Sequence, residues 1–238
     1  MNLIDTHFHL DFYRDHKNWY EYINQHQQYT LCVTNTPGIY YSCKRMYPET
    51  KYLKFALGYN PQNIVSENFD KRLFNHLVGG VKYIGEVGLD FTGKLKDKQK
   101  EQIQCFDYIC ASASNNQVLS VHSKKAEETV LTILKKNKVK KAILHWYSGD
   151  LQTLNELLDC GYYFSVNSNM LNSQHGQTII RSIPLEKILV ESDGPFTKVN
   201  SNKYNPSKLQ DVYAQLEQVL NNSIINEIIW DNFSTLLK

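Results

Sequence analysis

Eight short apolar runs alternate with amphipathic stretches along this chain, and that alternation constrains its fold more than any other feature. Each run is rich in β-branched and aromatic residues, which favours a strand, while the stretches between them have apolar residues at helical spacing. The predicted strands cover residues 3–5, 30–34, 53–57, 81–86, 119–122, 142–145, 162–166 and 188–191. Strands that alternate with helices form a parallel sheet, because parallel neighbours need a long, usually helical, crossover connection.

The clearest predicted helices cover residues 99–114, 126–136, 151–158, 208–220 and 223–236. Gly161 follows the third of them as a helix stop, and Asn221-Asn222 separates the last two. Eight strands close a (β/α)8 barrel, and such barrels need about 250 residues. Because the 238 residues contain no repeat and no linker-like stretch, we predict an α/β TIM barrel with residues 1–238 as a single domain.

An open, doubly wound parallel sheet is the alternative architecture. Such folds usually have a glycine-rich phosphate loop after the first strand, and none occurs here. The barrel is therefore the favoured prediction.

Composition excludes several classes of protein. The formal net charge of +2 is too small to indicate nucleic-acid binding by itself, so any polyanion site must be local. The five cysteines are an odd, scattered set without C-x-x-C, which argues against a disulfide framework and against a zinc knuckle. No leader-like segment and no apolar run of about 20 residues is present, so we expect a cytoplasmic protein without a membrane partner.

Six residues with metal-binding side chains lie at the ends of predicted strands. His7 and His9 are one residue apart at the end of the first strand, so both imidazoles face the same side. The others, at the ends of strands four, five, six and eight, are Glu86, His122, His145 and Asp193. The carboxyl ends of barrel strands form one rim, where active sites lie. The sequence therefore predicts that all six meet at one site.

A single histidine at a strand end is more often hydrogen-bonded than a metal ligand, but the coincidence of six such positions predicts a metal centre. Four imidazoles and two carboxylates exceed what one tetrahedral zinc needs. Two divalent ions about 3.5–4 Å apart use them better, with Glu86 as the bridge because each of its oxygens can hold one ion. Nitrogen-rich ligation favours Zn²⁺ or Mn²⁺ over Mg²⁺, although metal availability in the cell can override that preference.

These residues occur in motifs that resemble those of the TatD family of metal-dependent deoxyribonucleases, in the amidohydrolase-like barrel superfamily. The motifs, between Ile4 and about Phe233, are His-x-His, Glu-Val-Gly-Leu-Asp, Val-His-Ser, His-Trp-Tyr-Ser-Gly and Glu-Ser-Asp-Gly-Pro-Phe. The resemblance implies a TIM barrel with a two-metal hydrolytic site. It also implies the ligands: His7, His9, Glu86 and Asp193 for one ion, and Glu86, His122 and His145 for the other. A glutamate rather than a carboxylated lysine after strand four favours the nuclease branch of the superfamily.

Three positions depart from the family pattern while the six ligands remain. Asn60 stands where the family usually has a histidine; its amide can bind a phosphate oxygen but cannot shuttle a proton near neutral pH. Trp146-Tyr147 replaces Cys-Phe, and Lys124-Lys125 replaces Arg-Asp. These departures bear on substrate preference and turnover.

Catalysis and substrate binding are assigned to further residues near the predicted rim. Asp193 is expected to orient a water between the ions and accept its proton, and Glu191, on the same strand face, to support Asp193 or hold a basic residue. The predicted substrate contacts are Asn60, Lys94, Lys124 and Trp146. Further candidates in the rim loops are Lys96, Lys98, Lys100, Lys125, Lys198 and Lys203 for phosphates, and Phe91 and Phe196 for a stacked base. The lysine-rich run 135–141 precedes strand six and is expected on the opposite, solvated face.

Three functions remain open from the sequence. The first is a phosphodiesterase acting on DNA, a 3′→5′ exonuclease on single-stranded or frayed ends in DNA repair or anti-phage defence. The second is ester or amide hydrolysis at the same centre, for instance of D-aminoacyl-tRNA. The third is a weakly active, DNA-end-binding subunit of a multi-component defence complex. We expect a monomer with DNA as its partner.

Overall fold

The structure, a computed structural model, describes residues 3–238 and has eight parallel strands around a central axis, as the alternation predicts. The strands are β1 (Ile4–Phe8), β2 (Tyr29–Cys32), β3 (Leu53–Phe55), β4 (Tyr83–Asp90), β5 (Val118–Lys124), β6 (Ala142–His145), β7 (Tyr163–Val166) and β8 (Ile188–Val190). They pair in chain order, β1 to β3 in one group and β4 to β8 in another.

Two seams join these groups into a closed barrel. Leu57, just after β3, forms a parallel bridge with Ile84 of β4. On the other side, the backbone N–H of Asp193 donates to the carbonyl of His7 at 2.9 Å, which joins the end of β8 to β1. The predicted (β/α)8 class is confirmed, and the second seam lies beside two predicted ligands.

Ten helices occur in the described part of the chain: α1 (His16–Gln25), α2 (Pro37–Met46), α3 (Lys71–Val78), α4 (Gln99–Ser112), α5 (Glu127–Lys136), α6 (Leu151–Asp159), α7 (Ser168–Leu171), α8 (Gln174–Ser182), α9 (Leu209–Leu220) and α10 (Ile225–Leu237). The five predicted helices agree within two residues at each end. Gly161, with φ 84°, follows α6, and Asn221, with φ 49°, ends α9. Both adopt the left-handed backbone that terminates helices.

Local side-chain chemistry explains where several helices begin. The Thr36 hydroxyl accepts from the N–H of Ile39 before α2, which has proline in its first turn. The Asp150 carboxylate accepts from the N–H of Thr153 at the start of α6. These caps place the helices that follow the rim loops.

The loops after the strands contain short elements that no periodicity signals. Short 3-10 segments follow β1, β3 and β4, at Leu10–Phe12, Pro61–Val65 and Gly93–Lys98. After β8, the two-residue strands β9 (Lys198–Val199) and β10 (Asn202–Lys203) form an antiparallel pair.

The barrel strands are buried on both faces, because side chains fill the interior and helices cover the outside. All eight residues of β4 are buried, including the carboxylates of Glu86 and Asp90. Such burial is costly for a charged group without compensating partners. The polar side chains inside this barrel therefore need a chemical explanation.

None of the helices between residues 3 and 238 combines the length and apolar character that crossing a lipid bilayer requires.

Candidate metal centre

The structure brings the six predicted ligand side chains together at the carboxyl-terminal side of the barrel, around Glu86. Glu86 was predicted to end the fourth strand, but it lies in the middle of β4, which continues to Asp90. Glu86 Oε2 lies 3.7 Å from His7 Nε2 and 3.3 Å from His9 Nε2. Its other oxygen, Oε1, lies 2.8 Å from His122 Nδ1 and 3.1 Å from His145 Nε2. The two oxygens of one carboxylate thus face two separate pairs of imidazoles.

The first donor set consists of His7 Nε2, His9 Nε2, Glu86 Oε2 and Asp193 Oδ1. Asp193 Oδ1 lies 3.7 Å from His7 Nε2 and 3.5 Å from His9 Nε2, and the two imidazole nitrogens are 3.2 Å apart. Four donors placed tetrahedrally at about 2.1 Å from one ion are about 3.4 Å from each other. Each of the two histidine nitrogens therefore has, to the other and to both carboxylate oxygens, the spacing that one divalent ion requires.

The second donor set consists of Glu86 Oε1, His122 Nδ1 and His145 Nε2. The two imidazole nitrogens are 2.9 Å apart, and both lie within 3.1 Å of the carboxylate oxygen. These are hydrogen-bond distances, so an ion bound here would have to widen the set. Three protein ligands with an open fourth position are typical of a catalytic metal.

Two of the histidines have a hydrogen-bond partner on the ring nitrogen that faces away from Glu86. His7 Nδ1 lies 2.8 Å from the Ser120 hydroxyl, and His122 Nε2 lies 3.3 Å from Asp90 Oδ2. Such partners fix the tautomer and orientation of metal-binding imidazoles. Sequence reasoning missed Asp90 as a site residue, although its position at the carboxyl end of β4 was an available signal.

Glu191 lies against the imidazole of His145, which corresponds to the second of its two expected roles, holding a basic residue, and not to the first, supporting Asp193. Its buried carboxylate accepts from Asn167 Nδ2 at 2.8 Å and from the Ser165 hydroxyl, and lies 3.6 Å from His145 Nδ1. The first role assumed that strand alternation continues to Asp193. It does not, because β8 ends at Val190 and Asp193 has a left-handed backbone with φ 48°.

Asn60 contacts Glu86 directly, so its amide acts on the candidate ligand itself. Its Nδ2 donates to Glu86 Oε2 at 2.6 Å and to Asn35 Oδ1 at 3.0 Å. Its Oδ1 accepts from the N–H of Gln62 at 2.8 Å. The hydrogen-bonding capacity that the sequence analysis assigned to a substrate phosphate is therefore used within the protein. Asn35, which follows β2, was not foreseen.

The charges of the site are balanced between carboxylates and imidazoles. Burial opposes ionisation of Glu86, yet hydrogen bonds from the surrounding histidines hold its pKa well below the ordinary value. Burial lowers the pKa of His7 to about 4, which keeps this imidazole neutral and able to bind a metal. Burial also opposes the charge on His9, but Asp193 and Glu86 raise its pKa to about 10. A cation at the first donor set would supply the positive charge that a proton on His9 supplies otherwise.

A cavity of about 420 Å³ opens above the two donor sets. Among the predicted substrate contacts, Asn60, Lys124 and Trp146 line it, as does Phe196. Trp146 has φ 42°, an uncommon conformation for a bulky residue, which turns the chain directly after His145.

Lys94 does not line this cavity, in contrast to the expectation that it contacts substrate there. It is exposed on the Gly93–Lys98 segment, which packs against Pro61–Val65. Gln62 and Asn63 of that second segment line the cavity instead. Phe91 is also absent from the lining, because it packs against the hydrophobic core.

A larger cavity of about 540 Å³ lies around the amino-terminal ends of β2, β3 and β4. Tyrosines and lysines line it, but none of the six candidate ligands does. Cavity size alone therefore does not locate the chemistry, whereas the convergence of imidazoles and carboxylates does.

An eight-stranded barrel with four imidazoles and two carboxylates at its carboxyl-terminal rim defines a metal-dependent hydrolase. The family model described as TatD related DNase matches residues 4–238. The chain therefore belongs to the TatD family.

Individual relatives agree with this assignment. YcfH of Escherichia coli strain K12, named an uncharacterized metal-dependent hydrolase, is 27% identical over 256 residues, 99% of this chain and 96% of that protein. Human deoxyribonuclease TATDN3 is 28% identical over 165 residues, which cover 65% of this chain and 57% of that protein. The crystal structure of YJJV, a TatD homologue from Escherichia coli K12, has the same fold, with a TM-score of 0.87 at 20% identity over 98% of this chain and 97% of that one.

Proposed function

We propose that this TatD-family hydrolase cleaves phosphodiester bonds in DNA, as a 3′→5′ exonuclease on single-stranded or frayed ends. The observation that supports the proposal is the placement of Lys124 and Trp146 on the wall of the cavity that opens above both donor sets. A cation attracts the DNA backbone, and an aromatic ring stacks on an unpaired base.

The six candidate ligands would hold two divalent ions, Zn²⁺, Mn²⁺ or Mg²⁺, with Glu86 shared between them. When bound, such ions lower the pKa of a water and offset the charge on a phosphate. Asp193 would orient the attacking water and accept its proton, since its carboxylate lines the cavity. Glu191 would position His145 through the contact at 3.6 Å. Asn60 would keep Glu86 oriented.

The cavity favours a polymer end over a small enclosed acyl group. Lys124 is exposed, and Trp146 is only partly buried, so the wall that they form is open to solvent. A deep, closed pocket would favour attack on a carbonyl instead. We further propose that the protein acts as a cytoplasmic monomer in DNA repair or in anti-phage defence, and gene neighbours would distinguish these two settings.

End-labelled DNA tests the proposal directly. Single-stranded and double-stranded oligonucleotides would be incubated with Mg²⁺, Mn²⁺ or Zn²⁺, with and without a chelator, and D-aminoacyl-tRNA would be assayed in parallel. We expect a ladder that shortens from the 3′ end of single strands and disappears on chelation. Hydrolysis of the aminoacyl ester without DNA cleavage would replace the proposal by the deacylase function. DNA binding without any hydrolysis would favour the non-catalytic subunit.

Two lysine variants test whether the DNA binds in this cavity. Lys124→Ala should raise KM several-fold and reduce the salt dependence of binding by about one phosphate contact. Lys140→Ala is the matched control, because Lys140 is exposed in the lysine-rich run before β6, at the opposite end of the barrel. Equal effects of both substitutions would mean that the DNA does not enter this cavity.

A further inference from the structure

Two phenylalanines form an exposed aromatic pair at the mouth of the cavity. Phe12 is 49% exposed and Phe196 is 51% exposed, and both line the cavity. Their ring centroids are 5.0 Å apart, with an angle of 70° between the ring planes. Scattered exposed apolar side chains are ordinary, but adjacent ones at the edge of a polar cavity form a patch that a ligand can cover.

The backbone holds this pair in a defined position relative to the first donor set. Each phenylalanine follows a candidate ligand by three residues and donates its N–H to that ligand's carbonyl, Phe12 to His9 at 3.3 Å and Phe196 to Asp193 at 2.8 Å. The imidazole of His9 lies edge-on to both rings, with centroids 5.5 and 5.2 Å away. A group stacked on the pair would therefore lie next to the reacting centre.

Polar residues and Trp146, which follows His145, line the cavity beside the second donor set. His122 is followed along β5 by Ser123 and Lys124, and both line the cavity together with Gln62. The cavity thus has an exposed phenylalanine pair beside the first donor set and a cation beside the second. This asymmetry matches a nucleotide, in which a planar base and an anionic phosphate lie on either side of the sugar.

We propose that the Phe12–Phe196 pair stacks on the terminal nucleobase of the DNA strand, while the scissile phosphate lies at the donor sets. This inference rests on the proposed function and names the part of the substrate that the pair recognises. Stacking on aromatic rings does not depend on base identity, because every base has a π-face. A base inside a duplex has its faces covered by its neighbours, so the pair selects ends that are single-stranded or frayed.

An abasic 3′ end tests the inference. The substrates are two single-stranded oligonucleotides that differ only in whether the 3′-terminal nucleotide has a base. The wild type should have about a tenfold higher KM for the abasic end, with kcat nearly unchanged. The double variant Phe12→Ala with Phe196→Ala should raise KM about tenfold for the normal end and leave KM for the abasic end unchanged.

Three further variants separate stacking from structural damage. Phe12→Trp and Phe196→Trp keep an aromatic face, so the KM of each variant should stay close to the wild-type value. Val65→Ala removes an apolar side chain that is 59% exposed and lies outside the cavity lining, so it should leave both KM values unchanged. Metal content and thermal melting of each variant show whether the centre and the fold remain intact.

The outcomes distinguish this inference from the proposed function. Equal KM values of the wild type for both ends, or an equal effect of the double alanine variant on both substrates, would overturn the aromatic pair's role alone. A wild type that cuts neither oligonucleotide with any of the three metals would overturn the proposed function and, with it, this inference.

Discussion

The two donor sets at the rim of the barrel share Glu86 but differ in geometry. In the first set, each histidine nitrogen lies 3.2–3.7 Å from the other donors, which is the spacing around an ion, and the side chains are at most 7% exposed. Donors of the second set are 2.8–3.1 Å apart, which is the spacing of hydrogen bonds, and the side chain of His122 is 12% exposed. A preformed site binds with less reorganisation. We therefore expect a tightly held ion at the first set and a more readily exchanged one at the second.

The difference has a structural origin in the barrel. His7, His9 and Asp193 lie at the seam between β1 and β8, where the backbone bond from Asp193 to His7 keeps both strands together. His122 and His145 lie at the ends of β5 and β6, where Asp90 and Glu191 draw the imidazoles by hydrogen bonding and charge. The first set is therefore anchored by a backbone hydrogen bond across the seam, whereas the imidazoles of the second set also interact with carboxylates outside the set.

The largest effect is expected from Glu86→Ala, since this side chain belongs to both sets. The variant should lose both ions and at least about 1,000-fold in hydrolysis rate. Metal content after dialysis and the rate of DNA cleavage measure the two losses. Glu128→Ala, an exposed carboxylate on α5, is the control and should behave as the wild type. Retention of both ions by Glu86→Ala would contradict the shared-ligand arrangement.

Removing one histidine from each set tests whether the first set binds its ion more tightly than the second. His9→Ala should abolish the tighter class of metal binding, which belongs to the first set. His122→Ala should abolish the weaker class, which belongs to the second set, and leave the tighter class near its wild-type affinity. Both variants should lose about 100-fold or more in rate, because the proposed mechanism uses both ions. Metal titration by calorimetry separates the classes. If the two variants lose the same class, the comparison between the sets is wrong.

A smaller loss is expected when the partner of Glu86 is removed. Asn60→Ala leaves a buried carboxylate without its amide donor, and such changes around metal ligands typically reduce affinity or activity by 10–100-fold. Asn63→Ala is the matched control, because Asn63 lines the same cavity, whereas the amide that donates to Glu86 belongs to Asn60. Metal affinity and kcat should fall in the first variant only. A similar fall in both would show that Asn60 acts on the substrate rather than on Glu86.

The smallest effect concerns stability. Ions that bind only the folded state stabilise it by about 2.7 kcal/mol at a concentration of 100 times Kd. For a domain of this size, that corresponds to a rise in melting temperature of about 5–10 °C on adding metal to chelator-treated protein. Glu86→Ala should show no rise, and His122→Ala should show most of it. Differential scanning fluorimetry measures these melting temperatures. A rise in Glu86→Ala, or the absence of one in His122→Ala, would contradict the comparison between the sets.

Much of the site was predictable because its main members obey a local rule. His7, His122 and His145 each end a short apolar run, and parallel strands in a barrel bring their carboxyl ends to one rim whatever the sequence separation. The spacing of His7 and His9 on one strand needs no tertiary information. The positions of these side chains do not specify which bond is cleaved or which ion is bound.

The roles of other site residues could not be predicted, because they depend on contacts between segments far apart in the chain. Asn60 was assigned to substrate, but its bond to Glu86 connects the loop after β3 with β4. Of the two roles predicted for Glu191, support of Asp193 depended on strand alternation, which the left-handed backbone of Asp193 interrupts. Phe12 had no signal at all, since its pairing with Phe196 exists only because β1 and β8 meet at the seam.

The sequence by itself determined the number of barrel strands, their parallel order and which imidazoles and carboxylates reach the rim, because hydrophobic periodicity and strand polarity are local properties. Only the tertiary structure decided the separation of the donors within each set, the partners that orient them and the aromatic part of the cavity. Those features arise from barrel closure, which sets distances between strands that no local pattern encodes.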